Sequence, residues 1–364
     1  MKIIIAYASA GSGHYKAAEA IYSYFNAHKQ NNIELRLIDV LEKSNVLFKN
    51  IYSYGYVFIV SYAPWLWAVV FKATHVKSLR TIIKWLRFIT NRINTKSFSH
   101  FLIRENPDFI ISTHFLPSEI SAYLKLKRKI NSKIATVITD FGMHPFWLLE
   151  GADMYIVASN YTKEKLVAEG IEEEVIKVFG IPVDSKFLRA YEKDSLCEKF
   201  GVQKDKFTVL ITTGSFGIGP IEKIVDLLYR QTQVLVVCAQ NRNLYRKLKN
   251  KKYPGVLVLG FINNLQELMA ISDIIITKPG GLTISESLAM ELLPIFITAI
   301  PGQETENIKI LAQDEMGLYV RNPDSLKDII LDFKAHPDKL KKIKEKIRAI
   351  KKPFATEELY HALC

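Results

Sequence analysis

The feature that most constrains this chain is a repeated order of short apolar runs and helical stretches. One series runs through Ile3–Ser9, Ile33–Asp39, Asp108–Ser112, Lys133–Thr139 and Met154–Ala158. A second runs through Phe207–Thr213, Val234–Ala239, Val256–Phe261, Asp273–Thr277 and Pro294–Thr298. Runs this short and apolar read as strands buried on both faces, and the helical lengths between them require parallel pairing. The expected fold class is α/β, with two doubly wound, Rossmann-like domains. At 364 residues the chain is too long for one ordinary core. We expect a first domain over 1–195 and a second over 196–364, the last helix being free to pack back on the first. The Lys-rich end, Lys339 to Lys352, reads as a helix with a solvated face.

The second series carries the strongest chemical signal. Thr277-Lys-Pro-Gly-Gly-Leu-Thr-Ile-Ser-Glu286 places glycines where a strand ends and a helix begins. The first N–H groups of such a helix have no intrahelical partner and point at whatever binds there. Gly280 and Gly281 would let a diphosphate approach the backbone, with Lys278 and Thr283 beside it. Glu286, a turn further on, would bridge ribose hydroxyls. The next strand ends in Pro301-Gly-Gln-Glu304 with Asn307 following, and Gln303 and Glu304 suit a sugar's hydroxyls. Together these turns point to a nucleotide-sugar site. With no acidic pair at metal-ligand spacing near them, no metal is expected to be required.

At the end of the first strand, Ala8-Ser-Ala-Gly11-Ser-Gly13-His14 opens a helix. As a dinucleotide fingerprint it is incomplete, since Lys16 stands where the third glycine belongs. His14 is a candidate general base, because the dipole at a helix start disfavours the imidazolium; a capping role is the plainer alternative.

Charge is distributed unevenly. Of a net +12, most of the excess lies between Glu42 and Glu105, where there are ten Lys or Arg and no acidic residue. Trp65, Trp67 and Trp85 lie in the same segment. Basic, aromatic and acid-free sequence reads as a surface for anionic membrane lipid. Val57 to Val70 is too short and interrupted to span a bilayer, which needs about 20 apolar residues. Lys77, Arg80, Lys84 and Arg87 share one face of the helix that follows, opposite Leu79, Ile82, Leu86, Ile89 and Ile93. The basic face is expected to meet lipid; ordinary packing of the apolar stripe on the sheet is the alternative. No nucleic-acid motif is recognisable, and no protein partner is inferred. Three widely separated cysteines and a first strand at the very N-terminus suggest a reducing cytoplasm and no secretory signal.

With these motifs placed, nearly the whole chain resembles glycosyltransferase family 28, in its monogalactosyldiacylglycerol synthase and bacterial diacylglycerol glucosyltransferase branch. The marks are Gly11-Ser-Gly13-His14, Thr113-His114, Thr139-Asp140-Phe-Gly-Met-His144-Pro-Phe-Trp147, Gly180-Ile-Pro182-Val, Cys238-Ala-Gln-Asn241, Gly260-Phe261 and the two donor turns. The resemblance implies a GT-B fold, a UDP-sugar bound by the second domain, and diacylglycerol presented by the first at the cytoplasmic membrane face. It also implies an inverting single displacement. His14, Asp140 and His144 would then be catalytic, with Gly11, Ser12, Gly13, His114 and Trp147 on the acceptor side. Gly214, Ser215, Asn241, Gly260, Phe261, Lys278, Gly280, Gly281, Thr283, Glu286, Gln303, Glu304 and Asn307 would hold UDP-glucose or UDP-galactose. One departure is Ala239, where relatives commonly have glycine. The alternatives are a peptidoglycan-type N-acetylglucosaminyltransferase, a UDP-sugar epimerase, and a non-catalytic membrane-docked UDP-sugar sensor.

Overall fold

The computed structural model describes residues 1–55, 65, 69, 71, 73, 74, 76–214, 217 and 219–364. The chain forms two compact units. The first comprises residues 1–184, 300–306 and 352–364, and the second residues 185–299 and 307–351.

The first unit contains a six-stranded parallel sheet ordered β2-β1-β3-β4-β5-β6. Its strands are β1 (Lys2–Tyr7), β2 (Glu34–Asp39), β3 (Phe109–Ser112), β4 (Lys133–Val137), β5 (Met154–Ile156) and β6 (Ile176–Lys177). Strand β1 shows why the runs are continuously apolar. Ile3 and Ile5 face a cluster that includes Ile21, Phe25 and Leu359. Ile4 and Ala6 face another that includes Phe98, Leu102, Leu116 and Ile120. Each face is covered by helices, so a polar residue on either side would be buried unpaired. The C-terminal helix Ala355–Leu363 lies against the helix Ser12–His28, where the Tyr360 ring meets Phe25 and its hydroxyl donates to the His28 carbonyl at 2.7 Å.

The second unit repeats the plan with the order β12-β11-β10-β7-β8-β9, all parallel. Its strands are β7 (Thr208–Thr212), β8 (Gln233–Val237), β9 (Val256–Leu259), β10 (Ile274–Thr277), β11 (Leu293–Phe296) and β12 (Leu318–Tyr319). Each sheet winds one way and then the other from a central strand. The crevice beyond the strand ends at that reversal is where such sheets bind ligands. It falls between β1 and β3 in the first sheet and between β7 and β10 in the second.

Candidate active site

Three adjacent strand ends of the first sheet bring His14, Thr113 with His114, and Thr139 with Asp140 to the β1/β3 reversal. The helix after β1 starts at Ser12, with Gly11 at φ 101° as its N-cap, no side-chain cap and no acidic residue in its first turn. His14 sits in that turn. Its Nδ1 lies 2.7 Å from the Thr113 carbonyl oxygen and 2.9 Å from the Thr139 hydroxyl. A carbonyl can only accept, so Nδ1 carries the proton and Nε2 keeps the lone pair. The Thr113 hydroxyl donates back to the His14 carbonyl at 2.8 Å. Part of His14 remains accessible, yet its ring is closely surrounded. Burial lowers its pKa from 6.5 to about 4, against the opposing pull of the Thr113 carbonyl.

The other two histidines are differently committed. His114 is buried, its ring edge-on to that of His14 at 4.5 Å between centroids, and its Nδ1 accepts the Leu116 N–H. Burial first, then the charges of His14 and Arg87, hold its pKa well below the usual value. His144 is also buried; its Nδ1 accepts the Phe146 N–H, and its Nε2 is 3.1 Å from the Thr74 hydroxyl, which donates to the Phe71 carbonyl. With both nitrogens engaged, His144 orients its surroundings in this conformation rather than offering a lone pair. Trp147 requires a correction. Expected on the acceptor side, it is fully buried in a cluster with Ile138, Tyr155 and Leu166, because its indole fills the core beneath the Pro145–Trp147 turn.

The second sheet supplies a different kind of site at the β7/β10 reversal. Gly280 is the N-cap of the helix Gly281–Ala289, with no side-chain cap and no acidic residue in the first turn. Thr283 and Glu286 lie three residues apart on one face of that helix. Gly214 turns at φ 74° after β7, while Ser215 falls outside the described residues. Two expected donor ligands act as braces. The Asn241 side chain accepts the Leu244 N–H and donates to the Gly217 carbonyl. Fully buried Asn307 donates to the Pro279 carbonyl at 2.9 Å, holding the turn that follows β10 from behind. Ala239 adopts φ 49°, the left-handed conformation that explains a preference for glycine there.

The Pro301 turn belongs to the first unit. Gln303 begins the helix Gln303–Gln313, and a Glu304 carboxylate oxygen accepts the Ile300 N–H at 2.7 Å. Gly302, at φ 102°, lies so close to the Phe71 ring that a Cβ would come within 2.6 Å of it. Phe71 in turn meets the His144 ring at 4.9 Å.

Two family models match the chain. Residues 14–183 fit the monogalactosyldiacylglycerol (MGDG) synthase model, and residues 208–358 fit the glycosyltransferase family 28 C-terminal domain. A processive diacylglycerol beta-glucosyltransferase of Staphylococcus carnosus is 32% identical over 266 residues, covering 71% of this chain and 68% of its own. One from Staphylococcus epidermidis is 29% identical across 98% of this chain and 91% of its own. The chain belongs to glycosyltransferase family 28. The fold agrees with that of solved family-like structures. Acinetobacter baumannii MurG has a TM-score of 0.59 at 16% identity, covering 99% of this chain and 98% of that one. Anabaena Alr3699/HepE in complex with UDP-glucose has a TM-score of 0.57 at 14% identity, covering 100% and 99%. The fold is GT-B.

Sequence reading missed a pocket of about 510 Å³ in the second unit, where Arg242 and Tyr245 join Ala239, Gln240, Gly260 and Phe261. Phe261 is 63% exposed, a ring available for stacking. Arg242 and Tyr245 stand three residues apart on the helix Arg242–Lys251, and only that helix, laid beside the end of β9, shows that they belong with Gly260.

The helix expected to meet the membrane, Lys77–Asn94, is present, and two of its basic residues are committed within the protein. Arg80 pairs with Glu169 at 2.8 Å, and Lys84 donates to the Leu148 carbonyl at 3.1 Å. Arg87 pairs with Glu119 at 2.5 Å and lies over the Phe146 ring at 3.8 Å. Buried Asn91 also bonds Glu119. Arg80 and Arg87 are therefore turned towards the protein, drawn by carboxylates that lie outside the acid-free segment, while Lys84 remains exposed. Leu79, Ile82, Leu86 and Ile93 are left 46–57% exposed, and Trp85 61%. Trp65 is 69% exposed; Trp67 and most of the Val57–Val70 stretch lie outside the described residues, as does the Lys77 side chain. Among the described residues no helix is long and apolar enough to cross a membrane.

Proposed function

We propose that this enzyme moves glucose from UDP-glucose to the free hydroxyl of diacylglycerol, with inversion at the anomeric carbon. The observation that carries the reading is the neutral His14 imidazole, anchored through Nδ1 at the β1/β3 reversal. In the proposed reaction Nε2 accepts the acceptor hydroxyl's proton while that oxygen bonds the sugar's anomeric carbon. The bond from that carbon to the diphosphate breaks, and UDP departs with the electron pair. A forming imidazolium is favoured by the Thr113 carbonyl. In the donor domain, the N–H groups of the helix Gly281–Ala289 and Lys278 stabilise the charge on the leaving diphosphate, Glu286 holds the ribose, and the pocket at Phe261 receives the uracil. Gln303 orients the hexose, and Asp140 serves the acceptor side. No metal is needed in this scheme.

The relatives' printed names support glucose, diacylglycerol and repeated transfer. The exposed apolar face of the Lys77–Asn94 helix supports work at a membrane surface, which we place on the cytoplasmic side, with the protein peripheral. Apart from Gln303 in the Pro301 turn, residues of the first unit serve the acceptor, and those of the second hold the donor.

The test is chromatography of lipid products after diacylglycerol vesicles are incubated with labelled UDP-glucose or, separately, UDP-galactose. A labelled monoglucosyl lipid, followed by a slower product, is expected from UDP-glucose. Label appearing only from UDP-galactose would overturn the sugar, and no labelled lipid from either would overturn the reaction.

A further inference from the structure

The second unit has a cavity at the opposite end of its sheet from the glycine turn after β10. It measures about 340 Å³ and opens where the helices Leu326–Ala335 and Pro337–Ile350 meet the starts of β7 and β10. Phe207 and Asp273, which immediately precede those strands, are in its wall. The Lys278 turn leaves the far end of β10, so the four residues of that strand, roughly 13 Å, separate the two places.

The polar side of the cavity is cationic. Lys334, Lys341, Lys344 and Arg348 line it against two carboxylates, Asp273 and Glu345. Several of these groups are already engaged. Lys334 donates to the Gln231 carbonyl at 2.9 Å, Arg348 bonds Glu291, and an Asp273 carboxylate oxygen accepts the Thr208 N–H at 2.7 Å. Lys344 is different. It is half-buried, yet it makes no hydrogen bond or ion pair with any described residue. Burial holds its pKa below the usual lysine value, against the more distant pull of Asp273. Lys341, one turn earlier on the same face, is exposed and likewise unpaired among the described residues. A half-buried ammonium without a counter-ion is destabilising, and a bound anion would offset that cost.

The apolar wall restricts what the anion can be. Phe333 and Leu340 are buried and Phe207 half-buried, so a ligand filling the cavity covers carbon as well as charge. With two free ammoniums and two carboxylates in the wall, a single negative charge fits better than a phosphate dianion. We propose that this cavity binds an amphiphilic carboxylate, its head on Lys344 and Lys341 and its apolar body against Phe207, Phe333 and Leu340. A fatty-acid anion is of this class. The site is separate from the machinery of the proposed reaction, and its test reads binding alone.

The test is titration calorimetry of the whole protein with octanoate. Two comparison probes are 1-octanol, which has the apolar body without the charge, and inorganic phosphate, which has charge without the body. Octanoate should bind, and each of the others about tenfold more weakly or worse. Lys344→Met keeps most of the packing and removes the charge, so it should weaken octanoate about tenfold or more. The melting temperature of unliganded Lys344→Met should be unchanged or higher, since an uncompensated charge is gone. Lys341→Gln, at an exposed position, should weaken octanoate about threefold. No binding of octanoate by the wild-type protein, or undiminished binding by Lys344→Met, would overturn the site. Phosphate or octanol binding as tightly as octanoate would overturn the carboxylate assignment. A lower melting temperature for unliganded Lys344→Met would make Lys344 a structural cation and overturn its role in holding a ligand.

Discussion

The two sheet reversals of this enzyme are built from opposite materials. At the first, side chains from three loops lock together, and His14, His114, Thr113 and Thr139 bond one another or nearby backbone. At the second, the surface on offer is largely backbone, with a glycine cap at the helix Gly281–Ala289, and side chains such as Asn307 bracing it from behind. The difference follows from the proposed chemistry. A base must have one tautomer and one orientation, which only a fixed and partly dehydrated side chain provides. A diphosphate needs close approach to several N–H donors, which bulky side chains would block.

This contrast can be broken by substitution. His14→Ala should lower turnover by a hundredfold or more while UDP affinity measured by calorimetry stays close to that of the native enzyme. A comparable loss of UDP affinity would erase the distinction between the two reversals. The next effect concerns the inward face of the Lys77–Asn94 helix. Arg87→Gln leaves the buried Glu119 carboxylate without its cation, and should cost about 3 kcal/mol in urea unfolding. Leu79, Ile82 and Leu86 changed together to Ser should instead weaken vesicle binding with little loss of stability; the reverse pattern would restore the basic face to the lipid.

Asn307→Ala leaves the Pro279 carbonyl without its donor, and should cost about 1–3 kcal/mol and raise the KM for UDP-glucose more than it lowers kcat. A pure kcat effect would make Asn307 part of the chemistry rather than a brace. The smallest effect is a gain. Ala239→Gly relieves a left-handed alanine, and should stabilise by about 0.5 kcal/mol after the entropy cost of glycine. Destabilisation would mean that the alanine methyl packs usefully in the pocket it lines.

The parallel sheets and the glycine turns that follow β10 and β11 were legible because their signals are local. Continuous apolar runs mark strands covered on both faces, whereas the Phe71 ring that leaves no room for a Cβ at Gly302 lies far away along the chain. The first site was legible only in part. His14 stands beside its glycines, but its partnership with Thr113 and Thr139 spans 99 and 125 residues and exists only once β1, β3 and β4 lie side by side. Helix periodicity gave the two faces of Lys77–Asn94 but not that Arg80 and Arg87 turn towards the protein. That is decided by Glu119 and Glu169, which lie far along the chain. The Arg242 and Tyr245 wall of the second pocket was hidden for the same reason.

The central claim is that the first reversal supplies a base already neutral at physiological pH, and the pH profile of kcat/KM for glucosyl transfer tests it most directly. His14 is held near pKa 4 when folded, against 6.5 ordinarily. Between those values the unfolded chain binds the proton that the native state refuses, so stability falls as pH drops through that window. The base itself is lost only as pH falls through about 4. The account predicts, for enzyme shown to remain folded, an acid limb centred near 4 and absent from the residual activity of His14→Ala. A limb centred at 6.5 or above, or one that survives in His14→Ala, would contradict it.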